Sequence, residues 1–160
     1  MLFSVVLCVH EDNPFLDKAI NSILEQNYDK EFEFIIVANN CSDNLFEKLK
    51  QYTDKRIKLH RTVIGQLSFN LNYGINTAIG DYIIRMDSDD VSLPDRLMIC
   101  ERYINKADVV SFSSNIIDED DNIISKRILS TSKFSKELML KNPIIHPAVM
   151  IKKSAIIKVR

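Results

Sequence analysis

The chain is poor in glycine and proline, with three and four respectively in 160 residues. That excludes collagen-like and low-complexity architectures, and no Pro- or Gly-rich linker divides the sequence. No G-x-G-x-x-G follows the first apolar run, and no G-x-x-x-x-G-K-[ST] occurs anywhere, which weighs against dinucleotide and P-loop readings. The three cysteines, Cys8, Cys41 and Cys100, are odd in number and match no zinc spacing. They read as buried or bystander thiols in a reducing compartment. The formal net charge of -1 offers no electrostatic case for nucleic acid as a partner or for bulk membrane attraction. No apolar run approaches the ~20 residues needed to span a bilayer. The start, MLFSVVLCV, turns polar at His10-Glu11-Asp12 and has neither a basic flank nor a small-residue cleavage site. It is therefore not a signal peptide, and the chain is expected to be cytoplasmic.

What is present is ordinary globular composition: 46% hydrophobic and 27% charged residues. The expectation is one domain over residues 1–160, large enough to bury roughly two thirds of its unfolded surface. Apolar β-prone runs alternate with helical stripes. Strands are expected over Phe3–Val9, Phe32–Ala38, Ile57–His60, Tyr82–Met86, Val109–Phe112 and Ala148–Ile151. Asn13-Pro14 reads as a helix start, with Phe15, Leu16, Ala19, Ile20, Ile23 and Leu24 forming its apolar face. Ser42 or Asp43 caps a short helix carrying Leu45, Phe46 and Leu49. Leu67, Leu71, Ile75 and Ile79 form a stripe that ends at Gly80, a natural residue just past a helix C-terminus. Pro94 opens a helix with Leu97, Cys100 and Ile104 on one face. Residues 115–129 read as a hairpin turning at Asp120-Asp121-Asn122, and a weak helix follows near 135–141, broken at Asn142-Pro143. Alternating strands and helices predict an α/β fold with a mainly parallel sheet.

In such a sheet, ligands bind outside the carboxyl ends of the strands. His10-Glu11-Asp12-Asn13 follow the first strand, Asn39-Asn40-Cys41-Ser42-Asp43 the second, and Asp87-Ser88-Asp89-Asp90 the fourth. Three aspartates in four positions crowd like charges, which is costly unless a cation is present or a proton is shared. Hard divalent ions take oxygen ligands, and Mg²⁺ is usually held by one or two carboxylates plus substrate phosphates. The pattern points to a metal bridging to a diphosphate. The plainer alternative is a solvated turn in which Asp90 or Ser92 caps the next helix. His60 reads as structural, while His10 lies at the ligand edge.

The segments SVVLCVHEDNPFLDKAINSILEQNY, EFEFIIVANNCSDN, LNYGINTAIGDYIIRMDSDDVSLPDRL and NPIIHPAVMIKKSAI, in that order, resemble glycosyltransferase family 2. The resemblance implies a GT-A (Rossmann-like) three-layer sandwich, shortened at the C-terminal end. Residues 1–112 would form the nucleotide-sugar-binding half and 113–160 the start of an acceptor-side part. It implies transfer of a sugar from a nucleotide donor, usually UDP-linked, with inversion, to a saccharide or lipid-linked acceptor, aided by Mn²⁺ or Mg²⁺. By position, Asp89 would ligate the metal, and Asp87 would contact the ribose or share the metal. His10 stands where the family often has an aromatic packed on the base, with Cys8 beside it, and Asn39 where an Asp usually bonds uracil. His146 falls near the acceptor side, as a ligand or as a residue fixed by a tight turn. Arg96 falls where the family often keeps an Arg, with no role assigned. Two departures stand out. Ala38-Asn39-Asn40 replaces the frequent Asp-Asp-Gly, so the base contact is neutral. The family's catalytic base is expected beyond Arg160. A non-catalytic nucleotide-sugar-binding fragment or pseudoenzyme shares every donor feature. A nucleotidyltransferase lacks its Gly-rich loop here, and a phosphotransfer receiver or acid-phosphatase-like domain lacks its Asp after the first strand. The family also allows peripheral association with the inner face of a membrane, and an incomplete domain favours self-association.

Overall fold

The computed structural model describes residues 2–129 and 144–159; the weak helix expected near 135–141 and the Asn142-Pro143 break lie outside them. The elements are β1 (Phe3–Val9), α1 (Leu16–Leu24), β2 (Phe32–Asn39), α2 (Asp43–Lys50), β3 (Ile57–Thr62), α3 (Leu67–Thr77), β4 (Tyr82–Asp87), α4 (Arg96–Glu101), β5 (Val109–Ser111), β6 (Ser114–Ile117), β7 (Ile123–Arg127), β8 (Val149–Lys152) and α5 (Lys153–Lys158). Six strands make one sheet in the order β3-β2-β1-β4-β8-β5, and β6 and β7 form a separate hairpin. β1 to β4 are mutually parallel. β8 is antiparallel to both β4 and β5 and fills the slot between them. No helix among the described residues is long and apolar enough to cross a membrane.

Every residue of β1 and β2 is buried, because helices cover both faces of the sheet. Period-two alternation sorts their side chains between two cores. Phe3, Val5, Leu7, Phe34, Ile36, Ile84 and Met86 face α1, α2 and α4 through Leu16, Ile20, Leu45, Leu49 and Leu97. Val6, Cys8, Ile35, Val37 and Ile83 face the other side, against Leu71, Tyr73, Ile75 and Ala78 from the α3 segment and Ile156 from α5.

Four expectations change in detail. α1 begins two residues after Pro14. Asn13 still organises its entry, since its Oδ1 accepts from the Phe15 amide at 2.9 Å. The buried face of α3 is Asn70 and Gly74, whereas Leu67 and Ile79 of the expected stripe are 46% and 67% exposed. The reason is close approach: a Cβ on Gly74 would lie 2.7 Å from Val6 Cγ1, so this helix packs on the sheet through its smallest residue. Gly80 is not a left-handed helix terminator, since no glycine has positive φ. Its missing side chain instead admits β1, as a Cβ there would meet Ser4 Oγ at 2.6 Å and the Phe3 and Ser4 backbone at 2.8 Å. A buried network anchors the same crossing: the Ser4 hydroxyl donates to Glu33 at 2.5 Å, the Ile79 amide donates to Glu33 at 2.6 Å, and the Gly80 amide donates to Ser4 Oγ at 2.9 Å. Finally, neither Asp90 nor Ser92 caps α4; the Leu97 amide is satisfied by Gln26 Oε1 at 3.0 Å.

Candidate functional site

The register brings the expected loops together. Cys8 pairs with Asp87, and Val9 with Ala38, so β2, β1 and β4 end side by side and release their loops at one edge. Direct contacts join these loops. His10 Nδ1 lies 2.8 Å from the Asn39 carbonyl. A carbonyl only accepts, so Nδ1 carries the proton, and Nε2 turns toward the solvent beside Glu11. Asn13 Nδ2 donates to the Ser88 hydroxyl at 3.4 Å. The far leg of the acidic loop is clamped to α1: Gln26 Nε2 donates to Leu93 O at 2.8 Å, and the Ser92 amide to Ser22 Oγ at 3.0 Å.

The second loop is set by backbone shape. Asn40 has φ 49°, a left-handed conformation that glycine adopts freely and asparagine tolerates. This explains the glycine of the resembled pattern, and why asparagine stands in for it here. The Asn40 amide donates to Thr62 O at 2.8 Å, and Ser42 Oγ caps α2 at Leu45 N, 3.2 Å.

The acidic loop is electrostatically crowded. Asp87 is half-buried and pairs with Arg85 at 2.5 Å. Loss of hydration holds its pKa above the usual carboxylate value; Arg85 opposes this, Asp89 adds to it, and His146 lowers it. Asp90 is also shifted upward, by partial desolvation and then by Asp87 and Asp89. Arg85 is 6% exposed, and its Nε and Nη1 are buried without a hydrogen-bond partner. Charge on this strand end is thus concentrated, and only partly compensated.

Cys8 lies within β1, one residue short of its end. Burial pushes its thiol up to about 12, against Arg85, so it stays a protonated, unreactive thiol next to Asp87 in the sheet. His146 and Pro147 are the central residues of a tight turn closed by the Ala148 amide on Ile145 O at 2.8 Å. Its His146 lies near enough to Arg85 and Asp87 for their charges to act on it. The His146 pKa is lowered by partial loss of hydration and then by Arg85, while Asp87 works the other way. His60 sits away from this edge, edge-on to the Tyr73 ring of α3. Arg96, unassigned from sequence, donates to Ser92 Oγ at 2.9 Å, Arg85 O at 2.7 Å and Pro147 O at 2.9 Å. Two of those acceptors are backbone carbonyls, which carry no residue signature.

Among the described residues no three His, Cys, Asp or Glu side chains form a ready-made metal group. The donors present are two or three crowded carboxylates, one of them already engaged by Arg85. That set fits a hard cation held jointly with ligand phosphates, and not one held by protein alone.

A profile of glycosyl transferase family 2 matches residues 4–159. The chain belongs to this family. It is 40% identical to the O-antigen biosynthesis glycosyltransferase WbnJ of Escherichia coli, over 99% of this chain and 65% of that protein. It is 28% identical to an E. coli UDP-Gal:alpha-D-GlcNAc-diphosphoundecaprenol beta-1,3-galactosyltransferase, over 98% and 60%. The fold superposes on S. aureus TarS 1-349 in complex with UDP-GlcNAc with TM-score 0.76 at 18% identity, covering 99% of this chain and 47% of that one. For the Pyrobaculum calidifontis mannosyltransferase PcManGT in complex with GDP-Man and Mn²⁺ the TM-score is 0.69 at 16% identity, covering 98% and 46%. The fold is therefore that of the GT-A enzymes of family 2. The chain spans about half to two thirds of the length of these proteins.

Proposed function

We propose that this chain forms the donor side of a glycosyltransferase that moves a sugar from a nucleotide-sugar, most simply a UDP-sugar, to a saccharide or lipid-linked acceptor with inversion. The observation that carries the reading is the convergence of His10, Asn39 and Asp87–Asp90 at the ends of three adjacent parallel strands in a family 2 chain. UDP-Gal in one relative's name and UDP-GlcNAc bound to one structural neighbour support the choice of nucleotide. GDP-Man with Mn²⁺ in another neighbour supports a divalent ion.

In this reading the base lies between the His10 and Asn39 loops. Asn39 reads its edge through a neutral amide and His10 lines its face. Asp87, held by Arg85, accepts from the ribose or shares the ion, and Asp89, exposed at the loop tip, is the main carboxylate toward it. A bound Mn²⁺ or Mg²⁺ supplies electrostatic stabilisation of the diphosphate as it leaves. The chain's own part is to fix base and ribose so that the anomeric carbon is presented in one orientation.

Calorimetric titration with UDP, with and without Mn²⁺, tests this on the wild type and Asp89→Ala. Metal-dependent affinity that the substitution reduces by at least about tenfold is expected. Equal affinity in all four titrations removes the donor-site assignment.

A further inference from the structure

Arg96 stands outside the residues that would touch a donor, yet it joins three segments that build the site. One guanidinium nitrogen reaches Ser92 on the descending leg of the acidic loop; the other bridges the carbonyl of Arg85 in β4 and the carbonyl of Pro147. All three acceptors are neutral. A desolvated cation whose hydrogen bonds all go to neutral acceptors is a costly way to satisfy two carbonyls, and burial holds the Arg96 pKa below its ordinary value. A water or a neutral side chain would serve local packing as well. What a rigid planar fork supplies is all three bonds at once: Nη2 spaces β4 from a turn much later in the chain while Nη1 holds Ser92 of the acidic loop. That turn carries His146, whose charge is felt by Asp87. The same guanidinium lies close enough to Asp90 to favour its ionised form.

We propose that Arg96 is a positioning residue that ties the His146–Pro147 turn to the end of β4 and thereby sets where His146 stands beside Asp87 in the donor site. The inference rests on the donor-site reading for its consequence, but its structural half stands apart from it.

The test uses ring signals of the three histidines in ¹H–¹³C spectra, assigned by single His→Gln substitutions, in wild type, Arg96→Met and Arg96→Lys. Without ligand, Arg96→Met is expected to displace the His146 ring signal while leaving the His60 ring signal in place. Arg96→Lys, which keeps the charge but offers one nitrogen, is expected to fall between. With Mg²⁺ and UDP, the wild-type His146 signal shifts, and in Arg96→Met that shift is lost and UDP affinity falls about tenfold. If Arg96→Met does not fold, Arg96→Lys carries the comparison. An unmoved His146 signal in a folded Arg96 variant overturns the proposal. A wild type that binds no UDP overturns the donor-site reading instead, and the ligand-free spectra still decide what Arg96 does.

Discussion

Asp54 shows how a single pair fixes a corner of the sheet. Its carboxylate accepts from the Arg56 amide and from both ends of the Arg56 fork at 2.8–2.9 Å, while Arg56 also reaches Leu24 O and lies over the Phe32 ring. These bonds hold the Asp54 pKa at about 2, below the ordinary 3.8. A depressed folded-state pKa contributes stability that is present above the unfolded value and lost as pH falls through the folded one. Allowing for solvent screening, Asp54→Asn should cost about 1 kcal/mol at neutral pH. The gap between variant and wild type in urea unfolding should close between about pH 5 and about pH 2. Much of the placement of the candidate site was legible at this scale. Asp87–Asp90, Asn39 and His10 were readable because polar residues directly after buried β-runs must leave the sheet at its ligand edge. Arg96 and Arg85 were not. The first acts on carbonyls, which every residue possesses, and the second is a charge hidden inside a run that otherwise reads as apolar. The left-handed backbone of Asn40 was visible only as a departure from the family's Asp-Asp-Gly.

At the scale of elements, the crossing of the α3–β4 connection over β1 leaves no room for a side chain at Gly80. A methyl group at Gly80 meets backbone atoms of Phe3 and Ser4, whereas one at Gly74 meets first a movable Val6 methyl. Overpacking costs typically about 1–3 kcal/mol. Gly80→Ala should lie at or above the top of that range, because backbone cannot give way, and Gly74→Ala below it. Chemical denaturation of the two variants measures the order; a Gly74 variant less stable than the Gly80 one would contradict it. The strands of β1, β2 and β4 were readable as continuous apolar runs because burial on both faces removes alternation. The α3 face was misread for a matching reason. A helix that approaches a sheet closely buries Gly74 and Asn70, and its leucines are left to flank the contact. Asn70 looks like a surface residue in sequence, yet its amide donates to Ile64 O and Gln66 O and accepts the Thr62 hydroxyl.

For the whole molecule, the clearest expectation is linkage between ligand and fold. A ligand that binds only the folded chain, at a hundredfold its Kd, adds about 2.7 kcal/mol, which for a domain of this size raises Tm by roughly 5–10 °C. UDP with Mn²⁺ should give such a rise in a thermal scan and UDP alone a smaller one, with the difference absent in Asp89→Ala; identical curves with and without ligand would speak against binding. Sheet order was the least legible feature at this scale. Pairing of β8 with β4 and β5 joins residues far apart in sequence, and nothing local marks it. That placement has a consequence for synthesis on the ribosome. β1 to β4 emerge first and can zip together in order, but the seat beside β4 stays vacant until Val149–Lys152 leave the exit tunnel. Until then β5 lacks the β8 strand it pairs with, and the nascent sheet carries an open hydrogen-bonding rim at Tyr82–Ile84, the stretch β8 will occupy. An uncovered rim of that kind is where unwanted strand addition between growing chains begins, so the late arrival of β8 also shields the molecule from its own copies.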